Sequence, residues 1–449
     1  MRKTLFLLGC LAVVVFTGCT GESNRPVATG EGRIRAINAI KTSPILTFLI
    51  EERRIGAVAY KSSSNPVTFD DLEFIFNVET ILAGDPLATR VASQLLDVVK
   101  DTDYTFLISG ALEAPDITVW ETPIREWTVD ETVFEVRIAN TADSIGDVDV
   151  YFAPVGTPPL LGNPLGTLAF GEVLPAAEYE GGLYALAFTA AGDPSTVHFE
   201  SSTFALVAQT SSLLSIFDTD PNDTGLWSVR AFFASGNSGL IVSVDSTATA
   251  RFYHASTELA TADIYNDETL MAAPIVIDHA FGEVTPDLDM PFGVNPLFYT
   301  ATGNSGAPLF DGEALIQATT HTNVYAVGVF DQLRTVEYIP DRRPVETLAK
   351  FTFMHTALNH PIVDLYVVPT GIDIANVFPT FFGVSVGDQP SFTTLNAGSF
   401  EIYLTPVADK TIITGPIALD MMLGDVFEYV AYDNVLDPMT ADLVSIPLP

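Results

Sequence analysis

Apolar and polar residues alternate along most of this chain, in short runs bounded by Gly, Pro, Asn and Asp. A period of two predicts β-strands with one face buried, whereas a helix would bring apolar residues back every three or four positions. Phe134-Glu135-Val136-Arg137-Ile138-Ala139 is one such run, and Phe427-Glu428-Tyr429-Val430-Ala431-Tyr432 is another. One stretch departs from the pattern: the spacing over residues 87–99 predicts a short helix.

The runs repeat. Four segments open with the same kind of strand, and each closes on a polar residue: Asn38, Asn140, His254 and His355. At one fixed spacing beyond that residue comes a second strand, reading Val148-Asp149-Val150-Tyr151, Ala262-Asp263-Ile264-Tyr265 and Val363-Asp364-Leu365-Tyr366. The first copy has Thr47 where the others have Asp149, Asp263 and Asp364. Farther on, Phe170-Gly171 returns as Phe281-Gly282 and, judged by spacing, as Phe382-Gly383, while the first copy has Tyr60-Lys61 near that place. A unit of roughly 100 residues with six or seven short strands and turn residues between them predicts an antiparallel sandwich. The expectation is therefore an all-β chain of four tandem immunoglobulin-like β-sandwich modules, without the immunoglobulin disulfide. The boundaries fall at 32–128 (a degenerate copy), 129–247, 248–344 and 345–449.

Residues 1–18 have the form of an export signal: Arg2 and Lys3, an apolar run from Leu5 to Phe16, then Phe16-Thr17-Gly18-Cys19. That tetrapeptide resembles a lipobox, although Phe16 stands where Leu is usual. The resemblance implies cleavage before Cys19 and acylation of its thiol, leaving residues 19–31 as a lipidated tether. Thr20 follows the cysteine, so no Asp signals inner-membrane retention and the outer membrane is expected. The strand pattern, from Asn-Thr or His-Ala through Asp-hydrophobic-Tyr to Ala397-Gly398-Ser399-Phe400, resembles the bacterial surface module known as domain of unknown function 4397. This resemblance implies exported, often tandem β-modules and no established chemistry.

Charge narrows the partners. Against 56 acidic residues stand 20 lysines and arginines, and a surface this negative repels nucleic acid. The candidate chemistry is thin. His254 and His355 with Asp263 and Asp364 have metal-ligand or acid–base residue types, but Asn replaces the histidine in two copies. That exchange points to strand ends and turns held by hydrogen bonds. Gly303-Asn304-Ser305-Gly306-Ala307-Pro308 is similar to the nucleophile loop of trypsin-like serine proteases. Its tetrapeptide recurs at 236–239, His198 lies in a strand-like context, and a hairpin turn is the expectation. Asp218, Asp220, Asn222 and Asp223 alternate as in calcium loops, without the Gly and bidentate Glu an EF-hand needs, and form a weak Ca²⁺ candidate. No other cofactor is expected. The sequence thus predicts a non-enzymatic envelope lipoprotein, facing the cell surface or the periplasm. It is held to the membrane through the lipid on Cys19 and acts as a structural, adhesive or interaction protein; the alternative partner is a glycan or another extracellular polymer.

Overall fold

The structure, a computed structural model, describes residues 26–259, 261–329 and 332–446. The export signal, Cys19 and most of the tether lie outside these residues. Apart from two three-residue 3₁₀ turns, Pro159–Leu161 and Ile374–Asn376, every regular element among the described residues is a β-strand. No helix among them is long and apolar enough to cross a membrane.

The strands form eight sheets, which group as four successive pairs along the chain. Each pair encloses one apolar cluster, such as Phe134, Ile138, Val150, Leu186, Phe188 and Leu214 in the second. Burying an aliphatic or aromatic side chain of this size contributes about 1.5–3 kcal/mol, so each cluster is a substantial core. The alternation explains both faces of each strand. In Val133–Asn140, Phe134, Val136 and Ile138 enter that core, and Glu135, Arg137 and Ala139 point away from it.

Strand order is the same in all four pairs. With Ser62–Ser63 and Val67–Asp70 of the first copy counted as one interrupted strand, and the short Phe204–Leu206 of the second left aside, the first strand lies inside one sheet, runs parallel to the seventh and is flanked on its other side by a short antiparallel strand. The parallel partners are Glu31–Asn38 with Thr102–Ala111, Val133–Asn140 with Ser211–Asp218, Thr249–Ala255 with His321–Val327, and Ala349–His355 with Val426–Asp433. The second, third, fifth and sixth strands make the other sheet. Layering is that of an antiparallel-rich sandwich. The order differs from an immunoglobulin domain, in which strands divide ABED against CFG, so the likeness is one of architecture.

Two expectations are corrected. Residues 87–99 form no helix; Thr89–Asp97 is a strand paired with Glu73–Thr80 across a bulge. It ends its sheet, so Leu95 stays 60% exposed and the alternation is blurred. Phe382-Gly383 also does not match Phe281-Gly282. The backbone N–H that returns to the carbonyl of the strand-closing residue belongs to Gly171, Gly282 and Gly387, at 2.8, 2.8 and 2.7 Å. In the first copy it belongs to Lys61, at 3.0 Å. All four have positive φ, which is why glycine fills three of the places. The glycine follows the strand-closing residue by 31, 28 and 32 residues in copies two to four (171−140, 282−254, 387−355), so the shorter spacing of the third copy pointed to the wrong glycine in the fourth.

Sheets of successive pairs pack on one another. The sheet holding the first strand of the first pair packs against its counterpart in the second, through Ile37, Leu107 and Trp120 against Leu213, Phe217 and Phe232. Trp120 Nε1 donates to the Gly171 carbonyl at 2.9 Å. The third and fourth pairs meet the same way, through Tyr253, Tyr325 and Val327 against Met354, Val430 and Tyr432.

Candidate functional site

The strand-closing residues are fully buried and hold turns. Asn38 Nδ2 donates to Ser43 Oγ (2.9 Å) and the Val58 carbonyl (3.2 Å), while its Oδ1 accepts from the Ile40 N–H. Asn140 does the same with Gly146, Leu168 and Ala142. Histidine performs the donor half: Nε2 of His254 donates to the Leu259 carbonyl and that of His355 to the His360 carbonyl, both at 2.7 Å. Burial pushes His355 down to about 4, so the ring is neutral at neutral pH.

The repeated aspartates clamp two turns each. Asp263 accepts from the N–H groups of Asp278 and Gly303, and Asp364 from those of Gly383 and Ala408, at 2.7–3.0 Å. All four donors have positive φ, and Asp278 and Ala408 are not glycines. A carboxylate taking both amides offsets the strain of those conformations. Asp149 accepts from Thr167 Oγ1 and the Gly192 N–H. Ser305 lies in the exposed turn between Gly293–Ala301 and Phe310–Ile316, where Asn304 Oδ1 accepts from the Gly306 N–H. Among the described residues, no three or more His, Cys, Asp and Glu side chains gather as a metal site.

The acidic loop is engaged by protein. Asp218 accepts from the backbone N–H groups of Asp143 and Ser144. Lys61, reaching across from the first pair of sheets, places its ammonium 3.0 Å from Asp220 and against Asp223. Asn222 Nδ2 donates to Asp341 and its Oδ1 accepts from the Arg342 N–H. Asp220, Asn222 and Asp223 therefore belong to a charge hub, which sequence reasoning missed, while Asp218 caps the turn at Asp143. Asp341 holds Lys350 of the fourth pair at 2.6 Å, and Arg342 forks onto Asp287 of the third at 2.7 and 3.0 Å. Arg343 donates to the carbonyls of Lys41 and Ser43 in the first. Burial works against the Asp287 carboxylate, but Arg342 outweighs it and holds the group below its ordinary range. Adjacent arginines at 342 and 343, in a chain with 20 basic residues, were the available signal.

A cleft of about 410 Å³ lies open between the third and fourth pairs. Its walls include the strands Arg334–Tyr338 and Phe381–Ser385, each the last strand of its sheet. Glu337, Tyr338, Phe382, Asp388 and Gln389 line it. Phe382 is 70% exposed. Both heteroatoms of the Gln389 amide are shielded and have no hydrogen-bond partner. An open cleft at a junction, with an aromatic face and an unsatisfied amide, has the composition of a ligand site and lacks a nucleophile–base pair.

No family model matches the chain, and no curated protein does. Among solved structures it is similar to the TIE protein of Bacillus anthracis, at 9% identity over 90% of this chain and 69% of that one, with a TM-score of 0.15. A family CBM26 module of Eubacterium rectale Amy13K, in complex with maltoheptaose, aligns at 11% identity over 47% of this chain and 95% of that one, TM-score 0.14. BcpA, the major pilin subunit of Bacillus cereus, aligns at 8% identity over 68% and 99%, TM-score 0.14. Similarity at these TM-scores carries no argument about function.

Proposed function

We propose that this chain is a non-enzymatic lipoprotein of the bacterial outer membrane, anchored through an acylated Cys19, whose linked sandwiches display binding surfaces as a structural or adhesive scaffold. One observation supports this reading above the others: the side chains with chemical potential are spent on holding the scaffold. The strand-closing histidines, the repeated aspartates and the acidic loop all bind backbone or buried counter-charges of the chain itself. The lipobox-like tetrapeptide and the resemblance to domain of unknown function 4397 support the location. Metabolic labelling with a fatty acid tests the anchor. Wild type takes up label and Cys19→Ser does not; an unlabelled wild type refutes it. Protease shaving of intact cells then tests display, and full protection of the chain would count against a surface role.

A second reading, glycan binding, is favoured by the Gln389 cleft. A pyranose face stacks on an exposed ring such as Phe382, and the Gln389 amide, shielded and unpartnered in the cleft wall, gains both a donor and an acceptor contact when its side chain turns toward a sugar hydroxyl. A glycan array with wild type and Gln389→Ala tests it. Retained signal in the variant, or none in either protein, removes the reading.

A further inference from the structure

The repeat carries one more recurring residue. Three positions before the strand-closing polar residue stand Arg35, Arg137 and Arg251, with Thr352 in the fourth copy. Alternation turns this position away from its own core, into the junction between two pairs of sheets. In the third–fourth junction the charges balance. Arg251 Nε lies 3.3 Å from Asp287, and the buried carboxylate of Glu428 accepts from Asn323 and Tyr325, both at 2.8 Å.

The first–second junction has arginines at both equivalent positions and no such carboxylate. In the parallel registers Glu428 stands beside Thr352, as Leu213 stands beside Arg137 and Thr105 beside Arg35. Where the fourth copy supplies a carboxylate, the second supplies Leu213. Asp103 is taken by Arg33, at 2.6 and 2.5 Å. Arg35 donates only to neutral oxygens, Thr105 Oγ1 at 3.0 Å and the Phe232 carbonyl at 3.4 Å. Arg137 Nε is buried without a partner. Among the described residues, neither guanidinium has a carboxylate oxygen within 4.0 Å. Between the two sheets lies a pocket of about 30 Å³ lined by Arg33, Arg35, Asp103, Glu135, Arg137 and Ser212. The Ser212 hydroxyl is buried and unpartnered as well, in a residue 6% exposed.

Burying a charge without a counter-charge is strongly unfavourable, and two neighbouring guanidinium groups add their own repulsion. Burial with Arg137 and Arg33 nearby outweighs Asp103 and pushes Arg35 down to about 10. Against Arg33, Arg35 and Arg137 the pocket lining holds the carboxylates of Asp103 and Glu135, which leaves one positive charge in excess. A cavity needs about 10–15 Å³ of this kind of space to hold one water, so the pocket has room for a single small ion. It is too small for an organic anion. The geometry points to a binding site for one monovalent, halide-sized inorganic anion between Arg35 and Arg137, filling in the first junction the role Glu428 has in the other. The site is independent of the proposed envelope role. It makes the packing of the first two sandwiches depend on chloride in the medium, beyond the general screening that salt gives an acidic chain.

The test is thermal unfolding of the full chain in sodium chloride against sodium gluconate, at equal ionic strength and pH. Gluconate does not fit the pocket. The expected result is a midpoint that rises by several degrees in chloride and saturates with its concentration. Arg137→Met should abolish the difference between the two salts. Leu213→Glu, which puts a carboxylate at the position of Glu428, should abolish it by a different route. Crystals soaked in bromide should show one anomalous peak between Arg35 and Arg137. Equal midpoints in both salts with no bromide peak overturn the proposal, as does a chloride effect of the same size in Arg137→Met. Should both variants fail to fold, the wild-type salt comparison and the bromide map still decide.

Discussion

Replacing Lys61 with Met removes the ammonium that lies between two carboxylates at the hub. The side chains of Lys61, Asp220 and Asp223 are 7%, 2% and 7% exposed. Taking away one partner of a buried ion pair costs about 3–5 kcal/mol, because the remaining charge keeps its desolvation penalty. Asp220 still accepts from the Asn222 N–H and Asp223 from the Asp220 N–H, so the lower half of that range is expected. Backbone strain can be separated from charge. Lys61 sits at φ 60°, where the other copies have Gly171, Gly282 and Gly387. Lys61→Gly loses the same ion pair but relieves the left-handed conformation, recovering about 1 kcal/mol. Stability should therefore fall in the order wild type, Lys61→Gly, Lys61→Met. The assay is urea unfolding followed by tryptophan fluorescence, since Trp120 is buried in the junction beside Tyr60. A cycle with Asp220→Asn and Asp223→Asn reads the coupling directly. A Lys61→Met loss below about 1 kcal/mol, with no coupling to either aspartate, would refute the view of the hub as a cohesive charge cluster.

Asp364→Ala removes the acceptor of two charge-assisted hydrogen bonds and should cost about 2–4 kcal/mol. Hydrogen exchange checks the mechanism, because protection should fall first at the Gly383 and Ala408 amides; unchanged protection there would contradict the clamp. His355 gives a pH effect. Its folded value of about 4 lies below the ordinary 6.5, so the unfolded chain binds the proton first and stability falls as pH drops from about 6.5 to about 4. His355→Asn, the residue of the first two copies, keeps a donor to the His360 carbonyl. It should flatten that part of the profile by on the order of 3 kcal/mol, and superimposable pH profiles for the two proteins would sink the idea.

Much of the sandwich was legible because its cause is local. A strand with one face in a core must alternate, and four copies with the same core repeat the same alternation. The roles of Asn38, Asn140, His254 and His355 were suggested by exchange among copies: a turn oxygen a few residues on, the Ser43 hydroxyl or the Gly146, Leu259 or His360 carbonyl, is served by an amide or an imidazole alike. The sixth strand of the first copy, Thr89–Asp97, escaped because its sheet leaves Leu95 in solvent, so periodicity lost its meaning there. The pairing of Lys61 with Asp220, and of Asn222 with Asp341, escaped for another reason. Contacts between residues so far apart in sequence have no signature in local pattern or spacing.

The junctions also change how the charge should be read. Arg33, Arg35, Lys61, Arg137, Arg251, Arg342, Arg343 and Lys350 all lie at or beside junctions, eight of the chain's 20 basic residues. Carboxylates accompany them inward, Asp103, Asp220, Asp223, Asp287, Asp341 and Glu428 at the junctions and Asp149, Asp263, Asp364 and Asp433 buried at the turns they hold. Folding therefore withdraws the two signs in comparable number, and the outer surface keeps the strong acidity of the composition's −36. Such a field repels polyanions and anionic head groups over a Debye length of about 8 Å at physiological salt. A partner that docks on these sandwiches must then be neutral or cationic, or must meet them at a cleft such as that of Gln389, where recognition runs through hydrogen bonds and an aromatic face.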